Sequence, residues 1–468
     1  MTRLSQSTLL LLREKKVLVL GFGLTGLSCA RFLSANHISF AINDSREKPF
    51  SDLSQFSQNT LEHEIVLGHW DAKLISQADI ILVSPGIDLS VSEIKNFIKA
   101  DCLIWGDVEL YCRLTETPIL AVTGSNGKST VVTLLAHLGK ALGFKSELGG
   151  NIGVPVLDHL TEGSTEGINS SLVECLILEL SSFQLESLSS MQAIAATVLN
   201  ISDDHLDRHL TLDNYCSIKQ SIYQQCKTAI INRDDEATYL KTKNNNQRVI
   251  SFGSDKPKNG HFGLKFLDEQ TYLMFGEQSL IAIDELPLAG VHNALNYLAA
   301  LALGYCAGWS LTSMVSCLAG FDGLKHRCQK VATDDEIVWV NDSKATNVGA
   351  TLAAINGLSK IMKPPQKLIL IAGGEGKGAD FTPLKTAITE QVNQLITLGR
   401  DGGQIAKLSK DTIEVSTLKQ AIEVANRLAN PKDMVLLSPA CASFDMFENF
   451  AERGQVFIDT VQQLTEDS

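Results

Sequence analysis

Short apolar runs alternate with helix-length amphipathic stretches along the chain. Val17 to Leu20, Ile80 to Val83, Ile119 to Val122, Leu368 to Ile371 and Met434 to Leu437 are unbroken apolar runs, and Leu176 to Leu180 is apolar except for Glu179. They are too short for buried helices and lack the alternation of half-exposed strands, so they read as strands buried on both faces of parallel sheets. Between them, Lys128 to Leu142 and Asn293 to Ala307 read as helices. The pattern predicts an α/β fold. Many of these strands end in clusters of Gly, Ser or Asp, the place where an open parallel sheet binds ligands.

Punctuation divides the chain into three expected domains. Residues 1–106 open with a strand, a Gly-rich turn and a helix, and contain a turn at Ser84, Pro85 and Gly86. Residues 107–323 begin a new strand–loop–helix unit. Residues 324–468 follow the turn cluster Gly320, Phe321, Asp322 and Gly323. The tracts Lys241 to Arg248 and Ser254 to Gly260 lack an apolar period and read as surface loops.

Composition narrows the function. With 468 residues, 44% of them hydrophobic and 20% charged, the chain suits about three ordinary globular domains. Forty basic against 53 acidic residues give a net charge of -13, so no broad nucleic-acid footprint is expected and anionic ligands need local cations. The ten cysteines show no CxxC pair or zinc spacing, which points to a reducing cytoplasm. Leu9 to Leu12 is too short for a signal segment, and no apolar run reaches 18 residues, so neither export nor membrane insertion is expected.

Two Gly-rich loops carry the first chemistry. Gly21, Gly23 and Gly26 follow a strand and open a helix, and Asp44 ends the next strand. Alone, this is the fingerprint of a dinucleotide site, in which backbone N–H groups meet a phosphate, or else a tight packing turn. Thr123 to Thr130, TGSNGKST, is a variant phosphate loop with Val122 where the strict pattern has its first Gly. Gly124, Ser125, Asn126 and Gly127 would cradle phosphates, Lys128 would reach the terminal oxygens, and Ser129 or Thr130 would face Mg²⁺. Glu179, a carboxylate ending a buried strand, suits a bound cation or the start of a helix. Asp203 to His209 clusters acids and histidines at another strand end. In the last domain His326 and Arg327, the loop Asn341 to Asn347, and the loop Gly373 to Lys377 supply cations among small residues, fit to converge on an anion.

The order of these motifs resembles the ATP-dependent peptide ligases of bacterial cell-wall precursor synthesis. It runs from KVLVLGFGLTG through VSPGI, TGSNGKST, GGNIG, LILELSSFQLE, DDHLDR, GVHN, HRCQ, NDSKATN and GGEGKGADF to LSPACASFDMFENFAERG. NDSKATN with SPACASFDMF resembles the branch that adds D-glutamate. The resemblance implies a Rossmann-like UDP-binding domain, a central ATPase-type domain and a Rossmann-like C-terminal domain. It also implies ATP and Mg²⁺ as cofactors, UDP-N-acetylmuramoyl-L-alanine and D-glutamate as substrates, and a monomer.

Residue by residue, it implies that Leu24, Thr25, Asp44, Ser45, Ser84, Gly86 and Asn151 hold the UDP substrate. Gly124 to Thr130, Asn293, Arg327 and Asp342 would hold ATP. Lys344, Thr346, Lys377, Ser438, Ala440 and Phe447 would frame D-glutamate. Lys128, Glu179, His205 and Lys219 would be catalytic, with Ser129, Glu179, His205 and a carbamylated Lys219 at the metal. Read from the residues alone, Lys219 is a surface lysine sharing one helix face with Tyr215 and Tyr223. Glu375 stands where relatives often have Asp. The rival readings are another amino-acid-adding ligase, an NAD-dependent dehydrogenase, which leaves TGSNGKST unexplained, and a non-enzymatic nucleotide switch.

Overall fold

The structure is a computed structural model, and it describes residues 4–49, 64–160, 173–203, 206–241, 246–288, 290–321, 323–333, 336–359, 362 and 364–466. The chain forms two compact units, one within residues 1–201, 205–252 and 299–314, the other within 202–204, 253–298 and 315–468.

The first unit holds two parallel sheets. Strands β1 (Val17–Leu20), β2 (Phe40–Asp44), β3 (Ile65–Leu67), β4 (Ile80–Val83) and β5 (Leu103–Trp105) are ordered β3-β2-β1-β4-β5. β1 pairs with β2 on one side and β4 on the other, with Leu20 level with Asn43 and Val83. The order reverses at β1, so a crevice opens beyond its carboxyl end, where the first Gly-rich loop lies.

The second sheet comprises β6 (Ile119–Thr123), β7 (Ser146–Gly150), β8 (Cys175–Glu179), β9 (Ala193–Val198), β10 (Cys226–Asn232) and β11 (Arg248–Phe252), ordered β11-β10-β9-β6-β8-β7. All pairings are parallel. β6 is buried throughout, and helix Lys128–Ala141 buries Val131, Val132, Leu134, Leu135 and Leu138. Each such aliphatic side chain contributes about 1.5–3 kcal/mol. A shared core that includes Val19, Phe32, Tyr111, Leu176 and Tyr223 joins the two sheets.

The second unit contains an element that the apolar runs do not announce. β12 (Phe262–Leu267), β13 (Gln270–Phe275) and β14 (Gln278–Ala282) form an antiparallel meander with a bulge at Leu273 and Met274. Its larger sheet has β15 (Gln329–Val331), β16 (Val338–Asn341), β17 (Leu368–Gly373), β18 (Gln394–Leu398), β19 (Thr412–Glu414) and β20 (Met434–Leu437), ordered β15-β16-β20-β17-β18-β19. Only β15 runs antiparallel, against β16. The loops after β16, β17, β18 and β20 therefore leave the same edge of the sheet.

Candidate active site

The phosphate loop leaves β6 with Gly124 at φ +148 and enters its helix through Gly127 at φ +83, conformations open to glycine and strained for other residues. A Cβ on Gly124 would press on Leu199 at 3.1 Å. Asn200, after β9, pins the loop. Its carbonyl accepts from Ser125 N–H at 2.9 Å, its side-chain oxygen accepts from Asn126 N–H at 2.8 Å, and its amide donates to Asn126 O at 3.1 Å. Lys128 curls back over the loop, its ammonium donating to the carbonyls of Gly124 at 2.7 Å and Ser125 at 2.9 Å. Ser129 and Thr130 are buried in the first helical turn.

Lys219 meets this loop from helix Leu212–Gln220. It is 1% exposed, which overturns the surface reading. Its amine donates to Gly124 O at 3.0 Å and Thr123 Oγ1 at 3.2 Å, and lies 4.7 Å from the Tyr215 ring centre. The Tyr215 and Ser125 hydroxyls are 3.1 Å apart. Tyr223 does not continue this face: the helix ends at Gln220, and Tyr223 lies in a 3₁₀ turn, its hydroxyl donating to Ile230 O and Thr238 O.

Glu179 ends β8 level with Val122 of β6, beside the start of the phosphate loop. It is 3% exposed. One carboxylate oxygen accepts from the Asn151 amide at 2.9 Å, and the other, Oε2, has no hydrogen-bond partner among the described residues. An uncompensated buried carboxylate oxygen is costly, and a cation relieves it. No group of three or more His, Cys, Asp or Glu side chains able to hold a metal occurs among the described residues. Mg²⁺ needs only one or two protein carboxylates beside phosphates and water, so Glu179 with the Ser129 hydroxyl fits its chemistry. His205 lies outside the described residues.

In the first sheet, Ser84 Oγ donates to Gly21 O at 2.8 Å, and a Cβ on Gly26 would come within 2.0 Å of that carbonyl, so loop and helix lie in direct contact. Asp44 accepts from Phe22 N–H at 2.6 Å and from Arg46 through its backbone N–H, Nε and Nη2 at 2.8, 3.0 and 2.8 Å. Burial raises its pKa, but Arg46 and the backbone N–H groups outweigh burial and hold it below the usual carboxylate value. Both oxygens are engaged in this state, and Arg46 adds a cation the sequence reading overlooked. Leu24 is 70% exposed at the mouth of the crevice. A cavity of about 330 Å³ lies nearby, lined by Ser84, Pro85, Ile87, Phe183, Glu186 and Arg208 among others.

The second unit gathers its own polar set. Asp342 accepts from Cys328 N–H at 3.1 Å and Ser438 Oγ at 2.9 Å, and burial raises its pKa to about 6. Ser438 is fully buried and engaged by Asp342 and Thr351. Phe447 packs against the buried cluster containing Leu437 and Phe457. The aromatic rings beside the two lysines are others: Lys344 lies 3.8 Å from the Phe450 ring centre, and Lys377, at φ +52, lies 5.1 Å from that of Phe444. Ala440 adopts φ +59, and Thr346 N–H donates to Lys344 O at 2.8 Å. Glu375 pairs with Arg400 at 2.6 Å.

Arg453 is the other residue that sequence reading missed. It is 1% exposed and donates to Ser343 Oγ and to the carbonyls of Ser343, Cys441 and Ala442 at 2.8–3.3 Å. It thus knots the Asn341–Asn347 and Ser438–Ser443 loops together. Its signal was the polar residue in the quoted FENFAERG segment, but a buried arginine with four loop partners is not visible in sequence.

Comparison with known proteins gives this arrangement a family. Residues 15–106 match the Mur ligase MurD-like N-terminal domain, 122–304 the Mur ligase middle domain and 326–441 the Mur ligase glutamate ligase domain. The chain belongs to the Mur ligase family. It is 57% identical to a UDP-N-acetylmuramoylalanine–D-glutamate ligase of Colwellia psychrerythraea, over 96% of this chain and 97% of that one. It is 42% identical to the protein of that name from Legionella pneumophila strain Paris, over 96% and 99%. Among solved structures, the MurF ligase of Thermotoga maritima in complex with ADP has the same fold, with a TM-score of 0.62 at 17% identity over 92% of this chain and 95% of that one.

Proposed function

We propose that this protein joins D-glutamate to UDP-N-acetylmuramoyl-L-alanine with consumption of ATP, in peptidoglycan precursor synthesis. The observation that carries the reading is 57% identity across 96% of the chain to a ligase of that name. The rival dehydrogenase reading leaves the phosphate loop idle.

A carboxylate does not acylate an amine unaided. In the proposed reaction the terminal carboxylate oxygen of the UDP substrate attacks the γ-phosphorus of ATP, ADP leaves, and an acyl phosphate forms. The D-glutamate amine attacks the acyl carbon, loses a proton, and inorganic phosphate departs. The phosphate loop supplies N–H groups for the phosphates, and Lys128 swings from the Gly124 and Ser125 carbonyls to the transferring group. Glu179 and Ser129 would hold Mg²⁺, with His205 and a carbamylated Lys219; bound there, the ion neutralises phosphate charge. Asn293, Arg327 and Asp342 would complete the nucleotide contacts, while Leu24, Thr25, Asp44, Ser45, Ser84, Gly86 and Asn151 hold the UDP substrate. Lys344, Thr346 and Lys377 serve D-glutamate together with Ser438, Ala440 and Phe447, and Phe444 and Phe450 stand beside the lysines.

We place the enzyme in the cytoplasm as a monomer; all ten cysteines are free thiols, and no described helix is long and apolar enough to cross a membrane. The test is phosphate release from ATP with each substrate alone and with both, and product mass with D- and L-glutamate in parallel. Release that needs neither substrate would favour a nucleotide switch.

A further inference from the structure

Gly357 lies in the last turn of helix Val348–Ser359, where glycine costs about 1 kcal/mol relative to alanine. Its missing side chain makes room for His292. A Cβ built on Gly357 would fall 2.4 Å from the imidazole Nδ1 and 2.6 Å from Cε1. Gly290 closes the notch, since a Cβ there would meet His292 Cε1 at 3.1 Å and the Gly357 Cα at 3.4 Å. Nδ1 has no hydrogen-bond partner among the described residues, and burial lowers the ring pKa to about 4, so a neutral ring is held by shape.

Both ends of that helix reach residues of the proposed nucleotide site. His292 directly precedes Asn293, and the N–H groups of Asn293 and Ala294 donate to Gly290 O at 3.1 and 3.0 Å, which fixes Asn293 at the start of its own helix. Toward the other end, Thr351 Oγ1 donates to Ser438 O at 3.2 Å, and Ser438 Oγ bonds Thr351 Oγ1 at 3.1 Å and Asp342 Oδ2 at 2.9 Å. Between Thr351 and Gly357 the helix rises about 9 Å as a rigid rod.

We infer that His292 is a positioning residue: seated on Gly357, it sets the spacing between Asn293 and Asp342 through the helix Val348–Ser359. This rests on the reading that Asn293 and Asp342 contact ATP. Nothing in the reaction requires His292 to touch a substrate. Loss of its ring would therefore loosen ATP binding, reach the D-glutamate contacts through Ser438, and leave the UDP substrate nearly unaffected.

The test is a set of steady-state KM values for all three substrates in the wild type, His292→Ala, Gly357→Ala, the double variant, and Asn293→Ala. His292→Ala should raise the KM for ATP about tenfold with that for the UDP substrate within about twofold. Gly357→Ala should do worse, because the added methyl must evict the ring, and the double variant should recover to the His292→Ala level. The inference fails if His292→Ala leaves the KM for ATP unchanged, if all three KM values rise in parallel, or if the double variant is no better than Gly357→Ala. Should Gly357→Ala not fold, His292→Ala and the double variant decide. An impaired Asn293→Ala beside a normal His292→Ala overturns the strut alone, whereas a normal Asn293→Ala overturns the ATP assignment beneath it.

Discussion

Lys128 and Lys219 donate to the same acceptor, the main-chain carbonyl oxygen of Gly124, at 2.7 and 3.0 Å. One comes from the helix that the phosphate loop opens, the other from helix Leu212–Gln220. The two amines are thus no more than about 6 Å apart, close enough for like charges to repel. Anionic phosphate relieves that repulsion, and so does conversion of one amine to an anion.

The first prediction follows for Lys128. Lys128→Ala should lower substrate-dependent phosphate release at least about a thousandfold, since charge neutralisation of the transferring group is the main task there. Stability should stay within about 1 kcal/mol of wild type in urea denaturation, because Gly124 O keeps Lys219 as a donor and removal of one of two neighbouring cations offsets the lost hydrogen bonds. Near-normal turnover would remove the phosphate-loop assignment.

For Lys219 the expectation differs. If its amine is carbamylated in the working enzyme, Lys219→Ala should be nearly inactive and partly restored by a short carboxylic acid that enters the vacated space. Phosphate release measured against acid concentration checks this. Full activity without the acid would sink the proposal.

Lys377→Ala should raise the KM for D-glutamate about tenfold and change that for the UDP substrate little, because an incoming carboxylate needs a cation in place of its water. Steady-state kinetics with each substrate varied in turn give the answer. Equal losses for both would mark Lys377 as structural.

Asp107 provides a stability test away from the chemistry. It begins helix Asp107–Leu114, its Oδ1 has no hydrogen-bond partner among the described residues, and burial, reinforced by Asp158, raises its pKa from 3.8 to about 6. A raised native pKa favours the folded state fully below the unfolded value, and that contribution is lost as pH rises through about 6. Asp107→Asn cannot ionise. It should match wild type near pH 4 and exceed it above pH 7 by up to about 3 kcal/mol, read by urea denaturation across that range. A difference independent of pH would show that ionisation is not the cause.

Much of the architecture was legible because β1, β4 and β20 are unbroken apolar runs, and a run buried on both faces looks like nothing else of that length. The meander β12 to β14 was not. Its strands bury only short stretches, Phe262 to Leu264 in β12 and Leu273 with Met274 in β13, and Gln270 and Gln278 open β13 and β14, leaving a pattern too short to separate from loop. In the site, the loops announced themselves through glycine spacing and lysine. The partners that fix them did not, because Arg453 acts on Ser343, 110 residues away, and sequence spacing carries no trace of that contact. Nor could spacing choose among Phe444, Phe447 and Phe450. Only the fold turns Phe444 and Phe450 toward lysines and Phe447 toward the core.

Gly150 ends β7 at φ +90, and a Cβ there would stand 2.2 Å from the Glu179 carbonyl oxygen; Gly124 sits at φ +148, where a side chain is strained and a Cβ would meet Leu199 at 3.1 Å. Both substitutions would force the main chain beside Glu179 or the phosphate loop to move, and with it the groups proposed to do the chemistry. An inhibitor that hydrogen-bonds to the backbone at these two glycines would therefore grip a surface that point mutation cannot readily alter. Resistance would have to arise elsewhere, through efflux, overproduction or changes at the rim of the site.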